Sequence, residues 1–121
     1  MRIDEHRGQR VLRLDPEGPA ITDAGDVIGD VWAHEAQMVV VPAARLDPEF
    51  FRLRSGVAGE FLQKLVNYRI RLAVVGDITA YVEASDALRD LVRESNAGTQ
   101  AWFFADEAAL GARLGPVVDA S

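Results

Sequence analysis

The 121 residues include no cysteine. Without thiols there are no disulfides, no thiol nucleophile and no thiolate-bound zinc. Histidine is scarce as well: His6 and His34 stand far apart, and neither has a ligand-spaced partner. The sequence therefore predicts no metal site and implies no cofactor. Neither a serine–histidine–acid set nor a glycine-rich phosphate loop is present, so any base catalysis would fall to Asp or Glu. Long hydrophobic runs are missing too. The longest are about five residues, against the ~20 that span a bilayer. Met1–Arg10 is charged and mixed, without the apolar centre of a secretion signal. The expectation is a soluble cytoplasmic chain with no membrane contact. Positive charge is in deficit: 13 Lys and Arg stand against 19 Asp and Glu, a net charge of −6. That argues against nucleic acid as a partner, because such binding rests on neutralising phosphates.

What is present suits a folded core. Hydrophobic residues make up 49% of a chain of common domain length, so a single domain spanning 1–121 is expected. Arg2–His6 and Val11–Leu14 read as two strands joined through Arg7-Gly8-Gln9-Arg10 in a hairpin. Asp15-Pro16-Glu17-Gly18-Pro19 ends the second. Thr22 is a predicted N-cap, before a helix with Ala24, Val27, Ile28, Val31 and Trp32 on one apolar face. Met38–Val41 and Leu72–Val75 are continuous apolar runs, the pattern of strands covered on both faces.

Asp47-Pro48-Glu49 marks a helix start, and Val57, Ala58, Phe61, Leu62 and Leu65 form the stripe of the second helix. Gly56 and Gly59 suggest a break near Ser55. A third helix is predicted from about Ala80 to Ser95, stopping at Asn96-Ala97-Gly98. Ala101–Phe104 is a fifth strand, and Asp106 caps a last helix carrying Leu110 and Leu114. Strands alternating with amphipathic helices give an α/β fold. The expected sheet is mixed but mostly parallel, with about five strands, four helices and an N-terminal hairpin. Trp32, Trp102, Phe103 and Phe104 are expected in the core. Ligand sites in such sheets gather beyond the carboxyl ends of the parallel strands, here Pro42–Arg45, Gly76–Thr79 and Ala105-Asp106.

The string FFRLRSGVAGEFLQKLVNYRIRLAVVG at Phe50–Gly76, with Asp77 and the later ESNAG at Glu94–Gly98, resembles a bacterial family of unknown function, number four-one-eight-zero. The resemblance covers almost the whole chain and brings no established activity. More loosely, the element order and the Ser55-Gly56-Val57 step resemble the STAS domains of anti-anti-sigma factors. Those carry a phosphorylatable serine at the start of the second helix. By position Ser55 matches that serine and Gly56 the glycine beside it. The acidic residue of that pattern is absent, since Leu53 and Arg54 precede Ser55.

Charge is uneven along the chain. Arg52, Arg54, Lys64, Arg69 and Arg71 stand against Glu60 alone, so this segment carries +4 while the remainder carries −10. It is either a solvated helix face with an edge strand or a site for an anion or acidic partner. Ser55 is either a phosphoacceptor or anion contact at a helix start, aided by Arg52 or Arg54, or an ordinary cap. Asp77 and Thr79 either meet a ligand or satisfy their own turn. Glu60 and Lys64 have the spacing of a helical ion pair. Asn67 and Tyr68 are weak helix formers there, which suits an interface or a pocket wall. Glu94-Ser95-Asn96 either serves a site or unwinds a helix end, and Glu94 opposes the helix dipole unless an arginine meets it.

The leading expectation is a non-catalytic regulatory or protein-interaction module with an acidic protein partner, switched by an anion near Ser55. The alternative is a small-molecule-binding protein or small enzyme with a pocket near Asp77, Thr79 and Asn96. A homodimer burying the second helix is the third reading.

Overall fold

Short runs of valine and leucine cannot satisfy their backbone groups alone, and here they pair with one another. The structure is a computed structural model and describes residues 1–115. Five strands form one sheet: β1 (Arg2–His6), β2 (Gln9–Arg13), β3 (Met38–Pro42), β4 (Arg71–Val75) and β5 (Ala101–Phe104). They lie in sequential order, β1 antiparallel to β2 and every later pair parallel. The fold is the expected α/β class with a mixed, mostly parallel sheet. The hairpin loop is tighter than the sequence suggested. Arg7 and Gly8 both take positive φ, 51° and 81°, as a two-residue primed turn requires, so β2 begins at Gln9.

The helices are α1 (Gly25–Ala33), α2 (Val57–Asn67), α3 (Thr79–Ala84), α4 (Asp86–Ala97) and α5 (Glu107–Leu114). Right-handed crossovers between successive parallel strands place their helices on one face. Accordingly Val27 and Val31 of α1, Phe61 and Leu65 of α2 and Leu88 of α4 pack over Leu12, Val39, Val41, Leu72, Val74 and Phe103. The alternate strand residues, Val11, Met38, Val40, Ala73 and Trp102, face the other way and meet Leu110 and Leu114 of α5. Two buried leucines contribute roughly 1.5–3 kcal/mol each, a modest hold on that face. Arg13 adds a clamp, donating to Asp4 of β1 and to Glu107 of α5, each at 2.5 Å.

Three details depart from expectation. The predicted third helix is two, because Ser85 is extended (φ −147°, ψ 112°) and its hydroxyl accepts from the Leu88 amide at 3.1 Å, starting α4 afresh. Thr22 does not cap α1, since Ala24 holds that position and the Asp26 carboxylate accepts from the Thr22 and Asp23 amides. Asp47-Pro48 opens a single 3-10 turn, Pro48–Phe51, and a second turn, Leu53–Ser55, precedes α2.

Candidate functional site

The basic segment opens between β3 and α2 with a left-handed turn at Gly56. Gly56 adopts the left-handed conformation (φ 79°), which a residue with a Cβ takes at a cost. That turn lets the chain pass from the 3-10 segment directly into α2. The Ser55 hydroxyl donates toward the carbonyls of Glu49 and Arg52, each 2.7 Å away, and accepts from the Val57 amide at 3.2 Å. Ser55 is solvent-exposed, but its hydroxyl is committed to holding the turn. Gly56, not Ser55, occupies the N-cap position.

Arg52 and Arg54 flank this turn. Arg52 pairs with Glu49 at 2.9 Å, while Arg54 has no ion-pair partner among the described residues. Both line a trough of about 500 Å³ with Phe51, Leu53, Tyr81 and Ala84, between the 3-10 turns and α3. Its centre is aromatic: Phe51 and Tyr81 stack at 4.5 Å with 12° between their planes, and Tyr81 stays 39% exposed. The trough thus joins an apolar floor to cationic walls at the carboxyl ends of the parallel strands.

A second surface lies between α1 and α2. Lys64 and Asn67 share a groove of about 660 Å³ with Thr22, Asp23, Glu60 and Gln63. Lys64 pairs with Asp23 across the groove at 3.2 Å instead of with Glu60 one turn back, so the expected helical pair is replaced by a bridge between elements. The Gly25 amide, then Lys64, holds the Asp23 carboxyl below the usual aspartate range. Asn67 accepts from Gln63 at 3.0 Å. Tyr68, the C-cap of α2, meets Trp32 edge to face at 5.3 Å. Trp32 is 61% exposed and Tyr68 42% exposed, so Trp32 is not the core residue its helical spacing suggested. It sits at the border of the stripe set by Ala24, Val27 and Val31, one step past the buried face.

The strand-end site is less developed. Asp77 and Thr79 border a cleft of only about 190 Å³ with Ile78, Val82, Val92 and Phe103, against roughly 300–1,000 Å³ for ligand pockets. The Asp77 carboxylate accepts from the Thr79 hydroxyl at 2.5 Å and the Thr79 amide at 2.9 Å, and these bonds hold its pKa below the usual value. Asn96 does not reach the cleft. It lies within α4, donates to the Phe103 carbonyl (3.1 Å) and accepts from the Phe103 amide (2.7 Å), extending the edge of β5. Glu94 is exposed and has no ion-pair partner among the described residues, so the expected arginine is not there. Trp102 and Phe103 are buried as expected, and Phe104 is half-buried. His6, which the sequence suggested is a surface or partly buried residue, is buried too.

Among the described residues no three His, Asp or Glu side chains gather as a metal site, and no helix is long and apolar enough to cross a membrane. Residues 6–114 match the family described as Domain of unknown function (DUF4180), and the chain belongs to it. No curated protein and no solved structure matches the chain.

Proposed function

We propose that this protein is a non-catalytic interaction module that binds an acidic protein segment in the trough beside Ser55. The observation that carries this reading is the trough itself: a stacked Phe51–Tyr81 floor between two arginines, one of them without an ion-pair partner among the described residues. Aromatic and arginine side chains are the residue types that dominate binding energy at protein contacts. Arg52 and Arg54 supply charge for a carboxylate-rich partner.

Ser55 would be the switch. Phosphorylation by a kinase replaces the donating hydroxyl hydrogen with an acceptor group. Phosphate oxygens would then face the Glu49 and Arg52 carbonyls that now receive the hydroxyl, and the turn shaping the trough would open. The test is a photoreactive phenylalanine analogue at position 81, irradiated in cells. An adduct that Arg54→Glu and Ser55→Asp both diminish supports the reading. Adducts indifferent to Arg54→Glu would remove the acidic partner, and no adduct would remove the site. Intact mass of protein isolated from its own cells shows whether Ser55 carries phosphate, with Ser55→Ala as control.

The Trp32–Tyr68 pair favours a second reading, a homodimer through the α1–α2 surface. The strand-end pocket has less support, because its volume is small and its carboxylate is occupied by its own turn.

A further inference from the structure

Helices α1 and α2 end in the same way. Past each helix the chain passes through one left-handed residue, Glu35 after α1 (φ 54°) and Arg69 after α2 (φ 58°). The Glu35 and Ala36 amides donate to the Trp32 and Val31 carbonyls at 3.1 and 2.9 Å. The Arg69 and Ile70 amides donate to the Val66 and Leu65 carbonyls at 3.0 and 2.9 Å. Glycine usually holds the left-handed position of such an ending, because a Cβ there is strained. These are two of the three non-glycine residues with positive φ among the described residues. What the strain retains at each is a long charged side chain, one acidic and one basic, and backbone strain collects at functional contacts.

The two turns are neighbours. They lead into β3 and β4, which pair side by side, and the Arg71 amide donates to the Gln37 carbonyl at 2.9 Å. The exposed Trp32–Tyr68 pair stands with them, Trp32 three residues before Glu35 and Tyr68 directly before Arg69. Val66, in the same turn of α2, is exposed as well. Glu35 and Arg69 are both exposed, and neither makes an ion pair among the described residues. Farther along the α1–α2 surface Lys64 and Asp23 already neutralise each other. The patch therefore has an apolar centre, one free acid and one free base.

We propose that this end of α1 and α2 docks a second copy of the chain about a two-fold axis, with Glu35 of each copy against Arg69 of the other. A two-fold contact applies the same patch to itself, so one acid and one base beside a shared apolar centre give two reciprocal ion pairs. Copies carrying a net charge of −6 repel each other, and a locally neutral, self-complementary patch is where that repulsion is least. Trp32, Tyr68 and Val66 supply the surface that loses water, while the charges at its rim fix orientation and choice of partner. The assignment rests on the homodimer reading and specifies the contact that the dimer uses.

The test follows the mass of the full chain by sedimentation across a dilution series. Glu35→Arg and Arg69→Glu should each weaken the dimer by about tenfold or more, since one reversal turns two attractive pairs into two repulsive ones. Mixed together, the two variants should form a heterodimer, because a copy with two bases then meets a copy with two acids. The double variant, Glu35→Arg with Arg69→Glu, should dimerise as the unaltered chain does. Recovery on mixing also shows that both variants are folded. A dimer indifferent to the reversals, or one weakened by them without recovery on mixing, overturns this contact and leaves the dimer to another face. A monomer at every concentration of the unaltered chain overturns the contact together with the homodimer reading.

Discussion

Ser55 and Asp77 show how a polar side chain beside a turn divides between structure and function. The Ser55 hydroxyl bridges two carbonyls and one amide, so Ser55→Ala should lower stability by about 1 kcal/mol, the net worth of a hydrogen bond. Its exposure leaves it open to modification, which is why the same contacts can act as a latch. Asp77 is more local. Its folded pKa is depressed, chiefly by the Thr79 hydroxyl and then by the Thr79 amide. A depressed folded pKa contributes stability above the unfolded value of 3.8, and that contribution is lost as pH falls through the folded value. Thr79→Val removes the hydroxyl and leaves the amide. In an NMR titration the Asp77 carboxyl should then move up toward 3.8; an unmoved titration would show that the hydroxyl does not hold it.

At the scale of elements, the division of the predicted third helix into α3 and α4 shapes the trough. Ser85 breaks the helical path and caps the new one, which sets Tyr81 of α3 beside Phe51. Alanine spacing through Ala84 and Leu88 disguised the break, because an extended N-cap interrupts the backbone without interrupting the apolar pattern. Asn96 performs a comparable service at the other end of α4. Strand β5 is an edge, and an edge strand presents unpaired amides and carbonyls. Asn96 answers both groups of Phe103 with one side chain. Asn96→Ala should therefore cost about 2 kcal/mol, two hydrogen bonds' worth, and speed hydrogen exchange at the Phe103 amide. Equal exchange in the two proteins would mean that β5 does not rely on this contact.

For the whole molecule, the unequal cover of the two sheet faces distributes the candidate surfaces. Helices α1 to α4 cover one face and leave the α1–α2 groove and the trough on its outside, while among the described residues α5 covers the other. Exposed aromatic rings in contact with each other are a common centre of protein association. Light scattering over a dilution series should give a dimer mass falling to that of the monomer, and Trp32→Ser should give the monomer mass throughout. A monomer at every concentration in the unaltered protein would remove the homodimer reading. The family and the α/β architecture were legible in the sequence, the family from its QKLVNYR-bearing segment and the architecture from buried runs such as Met38–Val41 alternating with helical stripes. Both are local or periodic signals, carried by residues near one another in the chain. The surfaces were not legible in that way. Arg71, Trp102 and Arg113 come from three distant segments, and only the pairing of β4 with β5 and the packing of α5 on them bring them together. The same holds for Lys64, whose partner Asp23 lies 41 residues away and not one helical turn back. Spacing along the chain determines which face a side chain takes on its own element; what stands opposite that face is decided by the packing of elements, and that is settled in three dimensions.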